Sequence, residues 1–137
     1  PKIKLSENVG KITTPHFKKV YRLIGRETGK AEADLLCVWD ETVDDTKPLE
    51  IFDPDHTWKR KLMTDFYAEE LLKPIFKNGK QVYELPALED IRAHCQAEIE
   101  SMWDEVRRFN NPHNYYVDLS QKLWDIKHDM LQAKRKK

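Results

Sequence analysis

The sequence predicts an α+β fold, with antiparallel β-hairpins in the N-terminal two thirds and two amphipathic C-terminal helices packed on them. Three observations carry this expectation. Ala31, Ala33, Leu35, Cys37 and Trp39 alternate with polar residues at period two, the mark of a half-buried strand. Asn78-Gly79 suits a type I′ hairpin turn, which needs positive φ at both central residues. Between Leu85 and Phe109, the residues Leu88, Ile91, Cys95, Ile99, Met102, Val106 and Phe109 recur at intervals of three and four, on one side of a helix.

Taken in order, residues 1–18 open with a short extended run, Ile3 to Leu5, and then a polar loop. Ser6, Asn8, Gly10, Thr13, Thr14 and Pro15 are turn formers, and Lys2, Lys4, Lys11, Lys18 and Lys19 surround them. Backbone N–H groups, small hydroxyls and ammonium charges in one loop can hold a phosphate; the same residues also make an ordinary solvated basic loop. Lys19 to Trp39 reads as a hairpin about Gly25-Arg26-Glu27-Thr28-Gly29. An acidic loop, Asp40 to Lys47, leads into a short strand, Leu49 to Phe52.

Asp53-Pro54-Asp55-His56 sets two carboxylates and an imidazole within four residues. That could chelate a hard cation, but Asp before Pro initiates a type I turn and no further ligand is placed by spacing, so a turn is expected. Trp58 to Met63 and Glu69 to Lys77 are further extended segments, with Pro74 confining the latter to an edge or a bulge. Lys80 to Leu85 returns from the Asn78-Gly79 turn.

The long helix follows, with Pro86 at its start, Glu89 and Asp90 in its first turn, and Arg107 and Arg108 near its end. Asn110-Asn111-Pro112 stops it. Tyr115-Tyr116-Val117 then runs into a second helix, with Asp118 as N-cap, Gln121 as its capping-box partner, and Leu119, Leu123, Ile126 and Met130 as its apolar stripe. His94 and His128 read as surface residues. The expected organisation is one domain, 1–137, with a basic loop at 1–18, a strand-rich part at 19–86 and a helical part at 87–133.

Positive and negative side chains cancel, 24 against 24, which argues against a general nucleic-acid or membrane-surface role. The charge is nonetheless segregated. Residues 1–30 carry eight Lys/Arg against two acids, and residues 31–57 one Lys against nine. Either the two blocks pair in space, or a positive patch sits beside an acidic shield. No apolar run reaches the ~20 residues of a membrane span, and no signal-peptide pattern opens the chain. Cys37 and Cys95 fall on apolar faces, so two buried free thiols in a reducing cytosol are expected. A Pro at position 1, entering strand-like sequence at once, suggests a piece of a longer protein. There is no nucleophile elbow, no Gly-rich phosphate loop between strand and helix, and no CxxC.

Several stretches, PKIKLSENVGKIT, KKVYRLIGRETGKAEADL, KPLEIFDPDHTWKRK, PIFKNGKQVYELPALEDIR, and LWDIKH preceded by RFNNPHNYYVDLSQK, resemble the C-terminal part of bacterial nicotinate phosphoribosyltransferase. The run Pro112 to Lys122, with its adjacent tyrosines, is the most specific, and the resemblance covers essentially the whole chain. It implies an enzyme of NAD salvage that joins nicotinate to phosphoribosyl pyrophosphate with ATP, and with Mg²⁺, in the cytoplasm. By the same resemblance, catalysis sits in an irregular α/β barrel preceding this chain. No catalytic residue or metal ligand is expected here, no cofactor is bound by this chain alone, and the isolated chain is inactive. The implied partners are the barrel domain, a second enzyme subunit and the two substrates, with no nucleic acid and no membrane.

The resemblance also gives the basic loop a role. Lys4, Ser6, Lys11 and Thr13 match a family loop that reaches across a dimer interface toward the pyrophosphate side of the substrate, where ammonium and hydroxyl donors stabilise the departing charge. Two departures stand out: Pro15-His16 where relatives often have Pro-Gly, and Ala87 where many carry Ser. A stand-alone interaction module, or an autonomous metal or nucleotide binder at Asp53 to His56, are the alternatives.

Overall fold

The computed structural model describes residues 18–56 and 58–135. Its centre is a hairpin of β1 (Lys18–Gly25) and β2 (Ala31–Val38), paired antiparallel from Lys18 opposite Val38 to Ile24 opposite Ala31. β3 (Leu49–Phe52) pairs antiparallel with β4 (Arg60–Met63), and β5 (Phe66–Glu70) pairs antiparallel with β1. The sheet is completed by β8 (Tyr116–Leu119), which lies parallel to β2 and touches β3 at Phe52 opposite Leu119, giving the order β4-β3-β8-β2-β1-β5. A separate hairpin, β6 (Phe76–Lys77) and β7 (Lys80–Gln81), turns on Asn78 and Gly79 at φ 51° and 75°, as the Asn-Gly pair predicts.

β4 and β5 occupy opposite edges of the six-stranded sheet yet are joined by Thr64 and Asp65 alone, so the sheet must curl until its edges approach. Asp65 takes positive φ, 55°, and its carbonyl accepts from Arg26 N at 3.0 Å. Inside the curl, Tyr21, Leu23, Ala33, Leu35, Cys37, Ile51, Met63 and Phe66 form one buried cluster, which is what the period-two pattern predicts. On the outside, Leu123 of α3 (Gln121–Arg135) packs with Val38, Phe52 and Leu119, flanked by Trp124 and Ile126.

Several expectations are corrected. Trp39 is outside β2 and exposed, because the chain turns there, with Glu41 N bonding the Val38 carbonyl. β5 begins at Phe66, three residues earlier than expected, and Pro74 lies beyond it in a loop. Tyr116 to Leu119 form a strand, and the second helix begins only at Gln121. Asp118 is therefore not the N-cap. Ser120 is, its Oγ accepting from Leu123 N at 3.2 Å.

The long helix is the largest correction. α1 (Leu88–Ser101) stops eight residues short of Phe109, and a single turn, α2 (Asp104–Arg107), follows. Ser101 Oγ donates to the Glu98 carbonyl at 2.7 Å, taking the acceptor that Met102 N would use, and Met102 N bonds Ile99 instead. Met102 and Trp103 are extended. α1 starts from Ala87 with no side-chain cap, and none of its residues is buried, so it is not packed on the sheet by its apolar stripe. Cys95 is accordingly exposed, while Cys37 is buried. His94 is exposed; His128 is half-buried, stacked on Trp124 at 3.7 Å.

Among the described residues, no helix is long and apolar enough to cross a membrane.

Candidate functional site

The outer face of β1 and β2 holds a buried charge cluster. Arg22 and Asp34 are direct cross-strand partners, and the guanidinium grips the carboxylate at two points, Nε to Oδ1 at 3.0 Å and Nη2 to Oδ2 at 3.4 Å. Arg22 Nη1 also donates to Glu98 of α1, and Tyr115 Oη donates to Asp34 Oδ1 at 3.0 Å. Asp34, then Glu98, hold the guanidinium in its charged form; burial, then Asp34, push the Tyr115 phenol above its ordinary value. These contacts tie α1 and the 115 segment to the sheet.

Beside this tie a cleft of about 470 Å³ opens between residues 103–116 and the sheet, lined in part by Glu32, Lys61, Trp103, Glu105, His113 and Tyr116. A smaller cavity of about 260 Å³ shares Lys61 and Tyr116 with it and ends on Lys59, Arg60 and Asp118. Its three cations each face a carboxylate already: Lys59 lies 3.5 Å from Asp53, Arg60 3.2 Å from Glu50, Lys61 3.6 Å from Glu32. Asp118, buried on the inner side of β8, is raised above its ordinary value by burial and then by Asp53. A wall of compensated charge suits a mixed polar surface better than a phosphate.

Cys37 and Ser120 are engaged structurally. Burial, then the Glu41 carboxylate, push the Cys37 thiol up to about 12, so it is no nucleophile at neutral pH. Ser120 Oγ donates to Glu41 at 2.8 Å, but the same oxygen caps α3.

Asp53 to His56 is a turn, as expected. Asp53 Oδ1 accepts from the backbone N–H groups of Asp55 and His56 at 2.8 and 2.9 Å. Burial alone would raise Asp53, but those two donors and the His56 ring hold it down at about 2. Among the described residues, no group of three His, Cys, Asp or Glu is placed to hold a metal ion.

The loop residues Lys4, Ser6, Lys11 and Thr13 lie outside the described residues. Among the described residues the segregated charge forms pairs: Arg22 meets Asp34, Arg26 lies 3.7 Å from Asp45, and acids of the 31–57 block find Lys61 and Lys122 further along. The Arg22–Asp34–Tyr115–Glu98 cluster was not foreseen. Its signal was an arginine in mid-strand, opposite an aspartate once the Gly25–Gly29 turn sets the register.

A family model described as the nicotinate phosphoribosyltransferase C-terminal domain matches residues 17–127. Nicotinate phosphoribosyltransferase of Bacillus subtilis is 41% identical over 91% of this chain and 26% of its own length. The Dictyostelium discoideum enzyme is 33% identical over 95% of this chain and 23% of its own. The crystal structure of human nicotinic acid phosphoribosyltransferase superposes with a TM-score of 0.76 at 25% identity, over 84% of this chain and 23% of that one. The chain thus spans about a quarter of the length of the relatives it matches.

Proposed function

The chain belongs to the nicotinate phosphoribosyltransferase C-terminal domain family, and on that premise we propose that it is the non-barrel portion of an enzyme joining nicotinate to phosphoribosyl pyrophosphate, with ATP, in NAD salvage. The family match over residues 17–127 carries this reading. In it the bond-making groups belong to the barrel-bearing portion, and these residues supply scaffold. Lys4, Ser6, Lys11 and Thr13 extend across a homodimer interface to stabilise the departing pyrophosphate through charge-assisted hydrogen bonds. In this reading ATP and Mg²⁺ belong to the rest of the enzyme. The setting is cytoplasmic, and the division into a basic loop, a strand-rich part and a helical part is kept as the working organisation.

The test is turnover. The full-length enzyme is expected to form nicotinate mononucleotide and the 137-residue chain none; turnover by the isolated chain overturns the reading. In the full-length enzyme, Lys11→Ala is expected to raise KM for phosphoribosyl pyrophosphate about tenfold, the equivalent of one lost charge-assisted contact, and to leave KM for nicotinate nearly unchanged. Equal effects on both substrates would assign Lys11 to folding or dimer contacts instead.

A further inference from the structure

β8 carries a carboxylate on the core side of the sheet. Asp118 stands opposite Leu35 of the inner cluster, and Tyr116 shares its face two residues earlier. Asp118 is only 6% exposed, and no hydrogen bond or ion pair reaches its carboxylate among the described residues. β3 and β8 pair at a single position, Phe52 opposite Leu119, and the cavity of about 260 Å³ lies between Asp118, Tyr116 and the run Lys59 to Lys61. Lys59 is turned to Asp53 and to the Tyr116 ring, 4.9 Å from its centre, and Lys61 to Glu32, so neither ammonium pairs with Asp118. With Arg60 held by Glu50, three cations meet four carboxylates, and one negative charge is left over. A buried carboxylate in that state favours a cation able to donate to it.

We propose that this cavity binds a small organic monocation, an amine whose ammonium donates to Asp118 and whose aromatic body lies along Tyr116 toward Trp103. The cleft of about 470 Å³ shares Lys61 and Tyr116 with the cavity and adds Trp103 and Val106, an apolar bed continuous with the ammonium seat. The smaller cavity has room for roughly nine water-sized groups, which suits an arylmethylamine. Among the described residues Asp118 belongs to no group of three His, Cys, Asp or Glu placed to hold a metal ion, so the donor set suits an ammonium better than a bare cation. An anion would sit beside a carboxylate that has no counter-charge.

The probe is benzylammonium, titrated at pH 7 into the isotope-labelled 137-residue chain and followed by backbone amide shifts, with benzyl alcohol and benzoate as matched controls. Saturable shifts at residues 59–61, 103–106 and 116–118 are expected, with a Kd at least about tenfold lower for benzylammonium than for either control. Asp118→Asn, which keeps the shape and removes the charge, is expected to erase that preference while the rest of the spectrum stays folded. Trp103→Ala is expected to weaken benzylammonium about threefold or more. No saturation, equal affinities for the three probes, a preference that survives Asp118→Asn, or a Kd indifferent to Trp103 overturns the proposal. Binding by the 137-residue chain that is lost in the full-length enzyme shows the cavity to be covered by other polypeptide and overturns it too. Turnover plays no part in the readout, so this outcome and that of the enzymatic reading are scored separately.

Discussion

Arg22 and Asp34 face each other across the β1–β2 pair, joined at two points and almost shut off from solvent, with Glu98 and Tyr115 completing their shell. One pair of side chains thereby decides where the first helix and the last strand's approach meet the sheet. Removing Arg22 leaves the buried Asp34 carboxylate with no counter-charge, which is costlier than removing both.

Arg22→Met is expected to destabilise the chain by about 3 kcal/mol or more, and the double variant Arg22→Met with Asp34→Leu to recover much of that loss. Chemical denaturation of the four proteins of the cycle measures it. Additive losses would show the two side chains to be energetically independent.

Leu23 and Ile91 make a matched contrast. Leu23 is wholly buried in the inner cluster, so Leu23→Ala is expected to cost about 2–5 kcal/mol in the 137-residue chain. Ile91→Ala on the exposed stripe is expected to change stability by less than about 0.5 kcal/mol in the same chain. A large loss at Ile91 would show α1 to be packed after all.

Ser120→Ala removes the cap of α3 and is expected to cost about 1 kcal/mol. Asp118→Asn, at the position first read as the cap, is expected to raise Tm at pH 7. The folded Asp118 carboxyl titrates above its ordinary 3.8, so its favourable contribution is complete below that value and is lost as pH rises through the folded value. Asn mimics the protonated form, so the gain in Tm should shrink on acidification. A gain independent of pH would refute the electrostatic cause.

Asp53 carries the opposite sign. Its folded value of about 2 lies below the ordinary 3.8, so its contribution is present above 3.8 and disappears as pH falls toward 2. Unfolding followed from pH 5 to pH 2 is expected to be flatter in Asp53→Asn than in the wild type. Identical slopes would mean the turn does not favour the ionised form.

Local patterns told the truth wherever a segment's partner was its neighbour in sequence. The β1–β2 hairpin, the Asn78-Gly79 turn, the LEIF strand and the Asp53–His56 turn were all legible from alternation or turn chemistry, because the interactions that fix them span few residues. The family was legible too, from stretches spread along the chain. Hidden were the features made by distant contacts. β8 is only four residues long and is strand because β2 lies alongside it, some eighty residues earlier. The end of α1 was hidden by a small rival: one Ser101 hydroxyl takes the carbonyl that would have continued the helix. Above all, spacing placed seven apolar residues along one side of a helical reading but could not say which way that side would turn. The Arg22–Glu98 tie decides it, because a buried guanidinium on the sheet holds the helix by the half-buried Glu98 and leaves Leu88, Cys95 and Ile99 exposed.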